Sequence, residues 1–382
     1  MRRLILHIGM PKTGTTSIQE SLYYGLRDRR YQYLSLGQVS GSQPLRMLFS
    51  ADARHSRLQQ LLRTPEEKLL AEKQRLARAL DESLAQCLSR QSTPILSGEW
   101  CWKMTTAEAV GLREHFAARG FQTQVIAYLR PLPTLFPSRF QEFVKWGGNR
   151  FVPFEPFFGP HNDRDEGDYA SIVPRLDEVF GATQVVLRPF ERAALDGGCV
   201  VRDFCRRLDL PLASRHIRRT NDSLSLAAVR LLYTFYALGP GYGTGPRALH
   251  ENLLLQRRLS RLDGPRFRFH PNLVEQRRGE IDQQHAAANA RMDVPFTLSP
   301  PDADLADAIR DEADLFRHSP AALAWLARAV GAGSPPAAND PQVCQWVVHQ
   351  MSRLRERPSL RVRLGRWVEL VRQGWHRRRR GV

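Results

Sequence analysis

Five short apolar runs, most of them followed by a stretch of helical character, restrict this 382-residue chain to few folds. The runs are 3–8 (RLILHI), 31–36 (YQYLSL), 93–97 (TPILS), 122–129 (QTQVIAYL) and 183–188 (TQVVLR). They are rich in β-branched residues and lack strict polar–apolar alternation, as strands covered on both faces do. Helical segments are predicted at 15–27, 65–90, 105–119, 133–146 and 170–180. The second opens on Thr64-Pro65-Glu66-Glu67, with Pro in the first turn and acids behind it. Alternation of this kind predicts an α/β fold, a parallel sheet with helices on both faces.

From about residue 200 the pattern turns helical, at 200–208, 224–238, 247–260, 272–291, 303–316 and 319–330. Two loops interrupt it or precede it. Residues 147–168 are long and aromatic, and 239–246 (GPGYGTGP) are Gly-rich; long loops in a compact domain often cover a binding site. Residues 331–341 (GAGSPPAANDP) read as a linker. The expected organisation is a domain over 1–330, with an α/β core at 1–210 and a helical cover at 211–330. The linker 331–341 and a basic helical tail at 342–382 follow.

The first run leads directly into Gly9-Met10-Pro11-Lys12-Thr13-Gly14-Thr15-Thr16-Ser17. A tight turn between a strand and a helix aims backbone N–H groups at one point, and the helix dipole adds positive potential there, so the segment is built for an anion. The nucleotide-kinase loop reads GxxxxGK[ST]. Gly9 and Gly14 keep its glycine spacing, but Thr15 stands at the lysine position and the lysine has moved into the loop as Lys12. A magnesium–nucleotide enzyme also needs an acidic metal ligand at a strand end, and no predicted strand ends in such an Asp. The expected ligand is a phosphate-bearing donor that reacts without a bound metal.

PKTGTTS after a first strand resembles the 5′-phosphosulfate loop of the sulfotransferases that use 3′-phosphoadenosine 5′-phosphosulfate (PAPS). The opening LHIGMPKTGTTSIQ is similar to that of bacterial carbohydrate-type members. The resemblance, which covers roughly residues 1–290, implies a P-loop-like sheet, PAPS as donor, and a 5′-phosphosulfate site at Pro11, Lys12, Thr13, Gly14, Thr15, Thr16 and Ser17. It also implies an Arg at a strand end and a Ser eight residues later for the 3′-phosphate. Arg130, after Val125-Ile126-Ala127-Tyr128-Leu129, and Ser138 match that pattern, and a guanidinium fork suits phosphate oxygens. Looser similarity extends to Val185–Glu191, Val201–Cys205 and Asn221–Ser225, while the KGxxG element of the animal cytosolic enzymes has no clear counterpart.

Sulfuryl transfer, like phosphoryl transfer, depends on positioning and charge stabilisation. Lys12 is the candidate for stabilising charge on the departing bridging oxygen. The acceptor hydroxyl needs a general base. Glu99, in Ser97-Gly98-Glu99-Trp100 directly after a strand, is the first candidate, with Trp100 and Trp102 placed to desolvate it. His7 in the first strand and His161 in the long loop are weaker ones. The acceptor class implied is a carbohydrate or glycoconjugate, lipid-linked glycans included.

Charge and cysteine content bear on the alternatives. The net charge is +17, carried almost wholly by arginine, since the only lysines are Lys12, Lys68, Lys73, Lys103 and Lys145. Residues 353–382 hold eleven Arg against two Glu, so about half of the excess lies in the tail. There Leu360, Leu364, Trp367, Val371 and Trp375 form one helical stripe flanked by arginines and followed by Arg377–Arg380, a pattern suited to an anionic membrane surface. No specific nucleic-acid partner is expected, because the charge is concentrated in that tail and no helix-turn-helix or zinc pattern occurs. Cys87, Cys101, Cys199, Cys205 and Cys344 are scattered and odd in number, which argues against a disulfide framework and for a reducing compartment. With an N-terminal run too short for a signal peptide, a cytoplasmic protein is expected, peripheral at the inner membrane face through its tail. The rival functions are a P-loop kinase or other NTP-dependent transferase, and a nucleic-acid-binding protein.

Overall fold

The computed structural model describes residues 1–51, 64–146, 154, 167–220, 223–241, 243, 245–297 and 305–356. In chain order the first elements are β1 (Arg2–Ile8), α1 (Thr15–Gly25), β2 (Tyr31–Tyr33), α2 (Ser42–Phe49), α3 (Glu66–Ser89) and β3 (Thr93–Gly98). Next come α4 (Thr106–Ala117), β4 (Phe121–Leu129), α5 (Leu132–Trp146), α6 (Tyr169–Phe180), β5 (Val185–Pro189) and α7 (Val200–Arg207). The helices α8 (Leu226–Leu238), α9 (Gly245–Leu259), α10 (Pro271–Glu275), α11 (Arg278–Asn289), α12 (Pro320–Val330) and α13 (Val343–Glu356) complete the set.

The chain divides into two compact units. One comprises 1–140, 155–222 and 269–308, the other 141–154, 223–268 and 309–382. The first is α/β. Its five strands are all parallel, in the order β2-β3-β1-β4-β5. Register brings Ile5 beside Ile95 and Gln124, and Ile8 beside Gly98 and Ala127. Alternate side chains go to opposite faces. Ile5, Ile95, Ile126 and Tyr128 meet Ile18 and Leu22 of α1 and Val201 and Phe204 of α7. On the other face α4 and α6 pack against β4. Both faces being covered explains why the strands read as unbroken apolar runs.

The path of the chain locates a crevice. From β1 it runs to β2 at one edge, while from β3 it crosses to β4 and then β5 at the other. Connections that leave neighbouring strands in opposite directions open a cleft at the carboxyl ends of those strands, here around β1.

The second unit is helical, with α13 packed on α8, α9 and α12. Residues 343–356 of the expected tail are thus part of this unit. Within it Tyr233 accepts a hydrogen bond from the Phe154 N–H at 3.0 Å and donates to Glu312.

The five expected strands are all present, and differences from expectation have local causes. The strand expected over 31–36 ends at Tyr33, because the chain turns at Leu36, whose φ is 49°. The single helix expected over 272–291 is two. Arg277, with φ −110° and ψ 17°, breaks it and lays its guanidinium 4.7 Å over the Phe136 ring. The helix expected over 303–316 does not form in its described part, which has only a 3₁₀ turn at Glu312–Phe316. The Ile309 N–H goes to the Arg268 carbonyl, and the Asp314 and Asp311 carboxylates accept from the Arg310 and Asp314 amides; such bonds compete with helix formation. The short helix α2 was not expected. The loop call 147–168 (Gly167 and Asp168 and the single residue Phe154 apart), the 360–375 stripe and Arg377–Arg380 lie outside the described residues. Among those that are described, no helix is long and apolar enough to cross a membrane.

Candidate functional site

The loop 9–16 occupies the predicted position, at the carboxyl end of the central strand and opening α1. Lys12 and Gly14 both take left-handed backbone conformations, with φ 69° and 76°. Such a conformation costs a non-glycine residue roughly 1–3 kcal/mol, so Lys12 is held there by its surroundings. Thr13 Oγ1 donates to the Met10 carbonyl at 2.6 Å and closes the turn from inside. Gly14 has to be glycine for a second reason, since a Cβ there would lie 2.8 Å from Val200.

Gly14 is also the N-cap of α1 and, having no side chain, cannot cap the first-turn amides. No acid lies in that turn. Thr15 is 1% exposed, and its Oγ1 has no hydrogen-bond partner among the described residues. A buried hydroxyl without a partner costs about 1–3 kcal/mol. The loop therefore presents uncapped helix amides and an unsatisfied hydroxyl under positive helix potential, a setting an anion would complete.

Adjacent strand ends bring the other candidates to the same rim. Ile8 pairs with Gly98 and with Ala127, so the residues following these strands, Gly9, Glu99 and Arg130, gather at the carboxyl edge. The Arg130 guanidinium donates from Nη1 to the Lys12 carbonyl at 2.9 Å and from Nε to Thr134 Oγ1 at 3.1 Å, and lies 5.8 Å over the Phe190 ring. No carboxylate pairs with it among the described residues. Burial pushes its pKa down to about 10, which leaves a cation at neutral pH with no carboxylate beside it among the described residues. Its backbone is anchored as well: the Arg130 N–H goes to Met10 sulfur, and its carbonyl accepts from the buried Tyr169 hydroxyl. Ser138 lies two turns into α5, 8% exposed, with no partner for its hydroxyl among the described residues.

Glu99 begins a 3₁₀ turn, Glu99–Lys103, and is half-buried. Its N–H donates to Ser42 Oγ at 2.7 Å. The unexpected helix α2 explains itself here. Gly41 donates its N–H to the Ser97 carbonyl at 2.8 Å, so close that a Cβ at Gly41 would lie 2.7 Å from that oxygen. Of the two expected desolvating rings, Trp102 is wholly buried, edge-on to Tyr169 with centroids 6.2 Å apart, and Trp100 is half-buried.

Two other sequence candidates have structural partners. His7 is wholly buried, its Nδ1 2.8 Å from Ser97 Oγ and its ring against Phe204 and Tyr128. Burial lowers its pKa to about 3, so it stays neutral inside the sheet–helix core. Ser17 faces away from the rim: its hydroxyl lies 3.0 Å from Thr220 Oγ1 and accepts from the Thr220 N–H at 3.2 Å. His161 lies outside the described residues. Sequence reasoning missed Tyr169 and Ser42, which belong to no recognisable spacing, and gave no role to Met10, although it stands inside the Gly9–Ser17 motif.

Comparison with known proteins adds no relative: no family model, no curated protein and no solved structure matches this chain.

Proposed function

We propose that this chain is a sulfotransferase that takes a sulfuryl group from PAPS and passes it to a hydroxyl or amine of an acceptor of carbohydrate type. The observation that carries the reading is the half-buried Arg130, a cation without a carboxylate partner among the described residues, hydrogen-bonded to the loop that also holds the unsatisfied Thr15 hydroxyl. Two anion-seeking features at one sheet edge suit a donor with two separate phosphate groups. The loop amides, with Thr13, Thr15 and Thr16, would take the 5′-phosphosulfate, and Arg130 with Ser138 the 3′-phosphate. Pro11 fixes the approach to the turn through its restricted φ. Ser17 supports the loop through Thr220.

In this reading Lys12 stabilises negative charge on the departing bridging oxygen, an electrostatic role that counts most where water is excluded. Glu99 takes the acceptor proton. Its peptide N–H is held by Ser42, so the turn that carries it is fixed relative to β3. The basic tail would bring the enzyme to an anionic membrane surface where lipid-linked glycans are found.

Calorimetry with adenosine 3′,5′-bisphosphate in the absence of magnesium tests the reading. Binding is expected, and Arg130→Ala should weaken it at least tenfold, the loss of a charge-assisted pair. Magnesium-dependent ATP binding with no bisphosphate binding would replace this function with an NTP-dependent transferase.

A further inference from the structure

At the opposite, amino-terminal edge of the same sheet a second feature calls for an anion. A cleft of about 470 Å³ opens between the α1–β2 connection and the turn from α3 into β3, with Arg27, Arg29 and Arg90 on its walls and Tyr31, Gln32 and Ser92 among its other lining residues. Ser92 precedes the first residue of β3 and Glu99 follows its last, so the cleft lies about 20 Å from the loop at ordinary strand rise.

The arginines here are not explained by internal pairing. Arg30 takes up Asp28, through Nε at 3.1 Å and Nη2 at 3.3 Å, and lies 3.7 Å from Asp209. That spends the one carboxylate lining the cleft. Arg27 uses one N–H on the Leu26 carbonyl at 3.0 Å, an ordinary cap for the end of α1. Arg29 and Arg90 have exposed side chains and no carboxylate partner among the described residues. Three guanidinium groups facing one concavity repel one another, and an oxyanion between them converts that repulsion into charge-assisted hydrogen bonds. Gln32 and Ser92 add polar groups, and Tyr31, whose ring has the Arg30 guanidinium 5.5 Å over it, forms part of the wall. Ser92 is 4% exposed.

We propose that this cleft binds the sulfate or phosphate monoester of a small ligand, as a site separate from the donor loop. Arg29 and Arg90 grip the ester oxygens, and Arg27 adds charge.

The test is calorimetric titration of the full chain with glucosamine 6-sulfate and with glucose 6-phosphate at fixed chloride concentration. The sulfated and phosphorylated arms distinguish the two sources of the ester. At least one ester is expected to bind with a millimolar or lower Kd, and Arg29→Ser/Arg90→Ser to weaken it at least tenfold. Arg257→Ser/Arg261→Ser, which removes two exposed arginines elsewhere, should leave it intact. Arg130→Ala should also leave it intact, which separates this site from the donor loop. Equal binding by wild type and the Arg29/Arg90 variant overturns the proposal, as does an equal loss in the Arg257/Arg261 control or no binding of either ester. Both substituted positions are exposed, so melting temperatures should match that of the wild type.

Discussion

One added methyl group at Gly9 should couple directly to the unsatisfied hydroxyl of the loop. A Cβ at residue 9 would lie 2.4 Å from Thr15 Oγ1 and 2.5 Å from its methyl carbon, with the Thr15 Cβ at 3.0 Å. Gly9 is not among the glycines with positive φ, so the penalty for Gly9→Ala is steric and not conformational. Overpacking of this kind costs about 1–3 kcal/mol. Thr15→Ala removes both of the closest atoms. By itself it loses one buried methyl, about 0.8 kcal/mol, and also a buried hydroxyl with no partner, whose removal is favourable by about 1–3 kcal/mol. Thr15→Ala should therefore leave stability unchanged or raise it by up to about 2 kcal/mol. In the Thr15→Ala background Gly9→Ala should cost under about 1 kcal/mol, since of the three nearest atoms only the Thr15 Cβ at 3.0 Å remains. Urea unfolding of the four proteins of this double-mutant cycle, at unchanged m, reads the coupling directly. A Gly9→Ala penalty of the same size in both backgrounds would refute the argument. If the proposed function holds, adenosine bisphosphate binding should weaken in all three variants even where stability does not fall, because in that reading the hydroxyl without a partner in the free protein bonds the ligand.

Other outcomes follow from particular contacts. Glu99→Gln should lower sulfuryl transfer by about 10²–10⁴-fold with bisphosphate affinity unchanged; a loss of affinity of the same size would make Glu99 a structural residue. Asp203→Ala should destabilise the chain by about 1–3 kcal/mol in urea melts, because it leaves the buried Tyr128 hydroxyl without its acceptor, while Arg188 and Arg207 keep Asp293; an unchanged midpoint would refute it. Burial lowers His285 to a pKa of about 4, and its Nε2 accepts the Leu132 N–H at 3.0 Å at the start of α5. The unfolded imidazole titrates near 6.5, so the unfolded chain binds more protons below that value. Stability from this group is complete above about pH 6.5 and is lost as pH falls toward 4. His285→Gln should flatten the stability–pH curve in that window by at most about 1.4 kcal/mol per pH unit, and an unchanged slope would remove His285 from the account.

Much of the α/β framework was legible in the sequence. Buried parallel strands have a composition of their own, and TPILS and QTQVIAYL needed no partner to be recognised. Boundaries failed where one residue had a distant partner. Arg277 leaves the helix to cover Phe136, and Asp314 and Asp311 take up backbone amides that a helix would have used. The helix α2 was invisible because its start is fixed by the Ser97 carbonyl, more than fifty residues away in the chain. The donor-site candidates Lys12 and Arg130 were legible as types at spacings, but their mutual hydrogen bond spans 118 residues.

By itself the sequence determined the strand and helix segments of the sheet, the turn at Gly9–Thr16 and the strand-end placement of Glu99 and Arg130. These are properties of neighbouring residues, of period and of backbone freedom. Only the tertiary structure decided the strand order that brings those three ends to one edge. It also decided which polar groups found partners there, joining His7 Nδ1 to Ser97 and leaving Thr15 Oγ1 without a partner among the described residues. Strand order and hydrogen-bond satisfaction depend on groups far apart in the chain, and local sequence holds no record of which distant donor will arrive.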